Sequence, residues 1–177
     1  MPSAPAATTT PNHADASLFS WPVRVYWEDT DAGGIVFYAN YLKYFERART
    51  EWLRALGVQQ QQLREDSGLI FVVTDTAVRY LAPARLDDHI AVTVQLVQAS
   101  RVRLTLDQVA WCDGRRLAEG RIRIACVDAQ QLRPGAMPRE LLATLSALVT
   151  PAAARPPELV PLHPSTPTPA ARTSTHP

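Results

Sequence analysis

One apolar stripe restricts the fold more than any other feature. Tyr41, Phe45, Ala48, Trp52 and Leu56 recur at spacings of 4, 3, 4 and 4, which puts them on one face of an α-helix. Leu42 and Leu53 widen that face, while Lys43, Arg47, Thr50 and Arg54 lie opposite it. Asn40 suits the helix N-cap, and Gly57 suits the left-handed position just past its end. A helix with so wide an apolar face needs a surface to wrap it.

The rest of the chain supplies that surface as strands. WPVRVYWE (21–28) reads as a first strand, and after the polar stretch QQQQLREDSG an apolar, β-branched run covers 69–81. Farther on the period is two. Ile90, Val92, Val94 and Leu96 alternate with smaller or polar residues, as do Val102, Leu104 and Leu106, and then Ile122, Ile124 and Cys126. Such alternation means sheet with one buried face and one wet face. A strand, a long helix and four closely connected strands give the α+β class, with a single antiparallel sheet curled around the helix.

The CDGR connection tests the register. A two-residue Asp113-Gly114 turn would pair Leu104 with Arg123, putting an apolar and a charged side chain on one face. A three-residue loop with Gly114 in the left-handed region pairs Val102 with Ile124 and Leu104 with Ile122, and is the expectation here. It places Cys112 in the turn, far along the ladder from Cys126, so no disulfide is expected.

Proline placement sets the boundaries. Of 15 prolines, three fall in residues 1–17 and eight in 151–177. Both ends are also rich in Ala and Thr, so 1–17 and 150–177 are expected to be disordered tails around one domain at 18–149. The formal net charge of +1 is too neutral for a nucleic-acid groove or a polybasic membrane patch. No apolar run is long enough to span a membrane, and MPSAPAATTTPNHADAS has no secretory-signal pattern. A cytoplasmic setting is expected, with attachment at the inner-membrane surface left open. Two cysteines without metal-like spacing imply no zinc site.

Elimination narrows the chemistry. Three of the four histidines (His13, His163 and His176) lie in the tails, so an imidazole device would rest on His89 alone. There is no G-x-S-x-G, no G-x-G-x-x-G and no P-loop, and no cofactor is implied. What remains is EDTDAGGIVFYANY, three carboxylates beside two glycines and a helix start. Gly33 and Gly34 let backbone approach a ligand and present bare N–H groups, and the helix N-terminus adds positive potential. Amides near Tyr38 are therefore candidate donors to a polarised carbonyl, with Asp31 upstream facing its carbon or a water. Val36 and Phe37 would make the surroundings apolar. An acidic loop that merely caps a helix, or a hard-cation site, are the competing readings of the same residues.

VYWEDTDAGGIVFYANYLKYFERARTEWLRALG resembles the signature of hot-dog-fold acyl-CoA thioesterases of the 4-hydroxybenzoyl-CoA thioesterase family. FVVTDTAVRYLAPARLDD and ACVDAQQLRPGAMP resemble its Tol-Pal-associated YbgC branch, so the likeness spans about residues 20–140. The resemblance implies a five-stranded sheet around a central helix, two protomers joining their sheets as a homodimer, and active sites between subunits; homodimer and homotetramer both stay open. It implies Asp31 as the acid and the Tyr38 amide as the carbonyl's donor, with acyl-CoA as substrate; acyl-carrier protein as a further partner is left open. The YbgC branch usually carries histidine where this chain has Tyr38, whereas the hydroxybenzoyl-CoA enzymes carry tyrosine. The backbone donor survives that exchange. Asp31 as nucleophile and Asp31 as general base both remain open.

Other residues have plainer readings. Glu46 and Arg49, one helical step apart, are expected to form a buried or interface ion pair. Arg101 and Arg103 are candidate contacts for coenzyme A phosphates, against a solvated strand face. Tyr41 is a core aromatic close enough to the glycine turn to line the acyl pocket. A hot-dog dehydratase would need a paired histidine and is disfavoured. A non-catalytic protein that binds acyl-carrier or lipid-synthesis partners at the envelope is the remaining alternative.

Overall fold

A computed structural model describes residues 18–150; the expected tails lie outside the described residues, apart from Thr150. Five strands form one antiparallel sheet: β1 (Phe19–Arg24), β2 (Leu69–Tyr80), β3 (His89–Ala99), β4 (Arg103–Cys112) and β5 (Arg115–Asp128). Their order across the sheet is β1-β3-β4-β5-β2. Helix α1 (Asn40–Ala55) lies on the concave face, α2 (Gln60–Ser67) leads into β2, and α3 (Arg139–Ala147) packs near β3. The expected helix and wrapped sheet are both present.

The α1 stripe is buried at Tyr41, Phe45, Ala48, Trp52 and Leu53, and Tyr44 joins it, whereas Leu42 is exposed. Gly57 ends the helix as expected, with φ +79°. Its N–H donates to the Arg54 carbonyl and that of Val58 to the Leu53 carbonyl, the paired bonds of a Schellman close. The start differs from expectation. Ala39 occupies the cap position without a side-chain cap, and Asn40 is the first helical residue. The first strand is also shorter than expected: it stops at Arg24, and Trp27–Asp29 is a single 3₁₀ turn.

The β4–β5 hairpin corrects the expected loop. Cys112 pairs with Arg115 across a two-residue turn, with φ +48° at Asp113 and +74° at Gly114. Both central residues are left-handed, which matches the strand twist. Cys112 thus ends β4 instead of sitting in the turn. The mismatch expected of a short turn is avoided because Ala110 pairs with Ala118 while Trp111 pairs with Arg116, leaving Leu117 as an extra residue in β5. This bulge restores the parity: Leu104 pairs with Ile124 and Leu106 with Ile122. The Leu117 carbonyl accepts the N–H groups of Leu81 and Ala82, which ties down the chain leaving β2. Both cysteines are free, as expected.

Gly120 lies directly beneath α1. A Cβ there would come within 2.9 Å of Phe45 Cε2 and 3.2 Å of Ile122 Cδ1. Gly120→Ala is therefore expected to lower stability by about 1–3 kcal/mol, as overpacked cores do. Chemical denaturation checks this, with a lower midpoint at unchanged slope as the expected result.

Candidate active site

The three acids of EDTD have different surroundings. Glu28 is exposed in the 3₁₀ turn. Asp29 is buried, and its Oδ2 accepts the Tyr26 N–H at 2.9 Å. Asp31 is exposed in the single chain. It opens a tight loop whose neck is a bridge between Thr30 and Val36.

Inside that loop the Asp31 Oδ1 accepts the Gly33 N–H at 2.8 Å, its carbonyl accepts the Gly34 N–H at 2.9 Å, and its own N–H donates to the Ile35 carbonyl. The glycine amides are therefore not bare, contrary to expectation, because the turn itself uses them. Gly34 has φ +71°, which a side chain would strain. The free donor lies on the other side of the neck. Among the described residues the Tyr38 N–H has no acceptor, and it stands just before the first turn of α1. The positive end of the helix dipole lies there, so a carbonyl oxygen arriving at Tyr38 meets both an N–H and a favourable field.

A single carbonyl holds the two sides together. Asp29 O accepts the Phe37 N–H at 2.8 Å and the Asn40 Nδ2–H at 2.9 Å. The Val36 N–H donates to the Ala84 carbonyl at 2.9 Å, anchoring the neck to the segment before β3.

Aromatic rings frame this end of the molecule. Tyr38 is 62% exposed, Phe37 42% and Tyr80 45%, with centroid separations of 4.6 Å for Phe37–Tyr38 and 6.1 Å for Tyr38–Tyr80. Tyr41 lies 5.7 Å from Tyr80 and packs edge-on to Tyr44 at 5.8 Å. Val36 and Tyr41 belong to the core of the single chain. The Tyr41 and Tyr44 hydroxyls are buried, the first near the Ala84 backbone and the second near the Asp29 carboxylate. Burial, followed by the nearby Asp29 carboxylate, pushes the Tyr44 phenol far above its usual range.

The expected Glu46–Arg49 ion pair does not form. Arg49 Nη1 donates instead to Oε1 of the fully buried Gln108 at 2.8 Å, and Gln108 Nε2 donates to the Phe45 carbonyl at 2.9 Å. Glu46 accepts the Thr50 hydroxyl at 2.7 Å. Burial lowers the Arg49 pKa, and the Glu46 charge partly opposes that shift. Sequence reasoning misses Gln108 because it occupies an inward position in the Leu104-Leu106 alternation, where a polar residue gives no signal of its partner. An open groove of about 510 Å³ runs beside this clamp between α1 and β2, with Leu42, Lys43, Glu46, Val73 and Thr76 among its lining residues.

Arg101 and Arg103 are not brought to Asp31 in one chain. Arg101 lies within the β3–β4 turn and Arg103 opens β4, where the Ser100 N–H donates to the Arg103 carbonyl. The Asp31 loop rests instead near the start of β3, where the Val25 N–H donates to the Asp88 carbonyl. The 11 residues of β3 separate the two ends, a span of about 35 Å at ~3.3 Å per residue. No helix of the described residues is long and apolar enough to cross a membrane.

The arrangement has relatives. Residues 25–145 match the thioesterase-like superfamily. The chain is 42% identical over 130 residues to the acyl-CoA thioesterase YbgC of Haemophilus influenzae, covering 73% of this chain and 96% of that protein. It is 40% identical to the acyl-CoA thioester hydrolase YbgC of Escherichia coli, with the same coverage. Among solved structures, a probable thioesterase from Bartonella henselae superposes with a TM-score of 0.65 at 28% identity, covering 69% of this chain and all of that one. The chain belongs to the thioesterase-like superfamily, among the YbgC-type hot-dog thioesterases.

Proposed function

We propose that this chain hydrolyses the thioester of an acyl-coenzyme A to a free acid and coenzyme A, with Asp31 as the reacting carboxylate and the Tyr38 amide as donor to the carbonyl oxygen. One observation carries the reading: an acid and an unbonded backbone N–H stand on opposite sides of one hydrogen-bonded neck at a helix start. The activities for which the YbgC relatives are named support the same chemistry.

In one route the Asp31 carboxylate attacks the carbonyl carbon, the C–S bond breaks, coenzyme A leaves as thiolate, and water cleaves the mixed anhydride. In the other, Asp31 takes a proton from the water that attacks. In both, negative charge grows on the carbonyl oxygen facing the Tyr38 N–H, where one donor is worth about 3–4 kcal/mol in the transition state. The thiolate is a good leaving group, so no imidazole acid is required.

Two copies complete the site in this proposal. The outer edge of β2 has no strand partner among the described residues, and residues 73–76 at its middle are exposed. An unpaired edge of 12 residues favours pairing with a second copy. Antiparallel pairing of two β2 edges sets the Tyr80 end of one chain beside the Leu69 end of the other. The Leu69 end is also the end of β5 and the start of β4, so the second copy's Arg101 and Arg103 would approach this chain's Asp31, within reach of coenzyme A phosphates.

The test is thiol release by the purified chain from short-chain, long-chain and aromatic acyl-CoAs. Release proportional to enzyme with at least one class is expected. Binding of acyl-CoA or acyl-carrier protein without release from any of them would favour the scaffold reading instead.

A further inference from the structure

We infer that Asn40 is a positioning residue for thioester cleavage: through the Asp29 carbonyl, its carboxamide fixes the spacing between the Asp31 carboxylate and the Tyr38 amide. The inference rests on the Asp31 and Tyr38 roles proposed above.

Asn40 is of the residue type that caps helices, yet it does not cap this one. A cap side chain accepts hydrogen bonds from the first helical N–H groups. Asn40 instead lies inside the helix and donates, Nδ2–H to the carbonyl of Asp29, 11 positions earlier. The residue is only 5% exposed and the bond is buried, so water does not compete for it. The orientation of the amide is fixed as well, because its oxygen turned toward a carbonyl would repel it. Helix formation alone does not explain this donor.

Its target is a node. A carbonyl oxygen has two lone pairs, and the second takes the Phe37 N–H at 2.8 Å. Asp29 is held in turn by its own side chain on the Tyr26 N–H. Asp31 therefore hangs two residues from a fixed point, and Tyr38 follows directly on the residue bound to that same point. Asn40 is the side chain that docks α1 onto it. Without the bond, the helix start and the Tyr38 N–H can drift relative to the acid while the Thr30–Val36 neck stays closed. A misplacement of about 1 Å between reacting groups lowers rates on the order of 10²-fold.

The experiment compares full-length parent, Asn40→Ala, Asn40→Ser, Asp31→Asn and Leu104→Ala, the last a fully buried residue distant from the node that calibrates general destabilisation. Activities are expressed per folded molecule. Asn40→Ala is expected to lower kcat on the order of 10–100-fold with KM changed less than about threefold. Asn40→Ser, whose hydroxyl reaches the carbonyl only across a water, should fall between Asn40→Ala and the parent. It also supplies the reading if the alanine variant folds poorly. Leu104→Ala should lose stability while keeping the parental kcat. A parental kcat in Asn40→Ala or Asn40→Ser, or a kcat loss in Leu104→Ala that tracks stability equally, overturns the inference. If Asp31→Asn is inactive and Asn40→Ala is fully active, only the inference falls; if Asp31→Asn retains the parental rate, the site reading itself is wrong.

Discussion

Asp31→Asn is expected to reduce acyl-CoA hydrolysis by at least about three orders of magnitude, within the usual loss for a general base and below the larger loss for a nucleophile. The substitution isolates chemistry from folding. The Asp31 Oδ1 holds the Gly33 N–H, and an asparagine Oδ1 accepts the same bond, so the loop should keep its shape. What disappears is the charge, and with it both attack and proton abstraction. Steady-state thiol release at saturating substrate measures the loss, with circular dichroism confirming the fold. A variant retaining more than about a tenth of the parental rate would place the reacting acid elsewhere. Turnover in ¹⁸O-water then separates the two routes: label appearing in the Asp31 carboxyl requires the mixed anhydride, because a carboxylate that only removes a proton never exchanges oxygen.

The largest structural effect should follow Phe45→Ala. Phe45 is fully buried at the middle of α1, its ring rests on Gly120, and its carbonyl accepts the Gln108 amide. Truncating such a ring costs about 3–5 kcal/mol through lost burial and the cavity left behind. In a domain of this size that corresponds to a melting temperature lower by on the order of 10 °C. The neighbour makes the expectation sharper. Gly120→Ala alone crowds the ring, but in combination with Phe45→Ala the added methyl would enter the vacated space. The double variant should therefore be more stable than the sum of the two losses implies, by about 1 kcal/mol or more. Strict additivity across the four melts would mean that the ring and the glycine do not press on each other.

The sequence makes some of this architecture readable and hides the rest for identifiable reasons. The α1 stripe and the alternation of β3 to β5 are visible because burial imposes the period of each element on the residue order. The hairpin is readable only in part. Alternation demands a shift of one residue between strands but does not say whether a longer loop or a bulge at Leu117 supplies it. Helix α2 has no apolar stripe. It is braced by side-chain bonds from Gln61 to Glu65 and Gln62 to Asp66 and closed by left-handed Gly68, features that resemble a polar linker in one dimension. In the candidate site, the acid cluster stands out, but its division of labour does not. Glu28, Asp29 and Asp31 look alike in the chain, and only the 3₁₀ turn and the Thr30–Val36 bridge bury one of the two aspartates and expose the other. Arg49 is expected to need an acid; a neutral amide on β4, 59 positions away, fills that role.

The paired turn and bulge between β4 and β5 also bear on how this hairpin can change in length. One residue added at the Asp113-Gly114 tip would turn every side chain beyond it toward the wrong surface only if the strands slid to rebuild a two-residue turn, and then only loss of the extra residue at Leu117 would restore the pattern. That second loss would remove the acceptor for Leu81 and Ala82. A single residue added at this tip should therefore be carried as a longer loop, with the pairing beyond Leu117 unchanged.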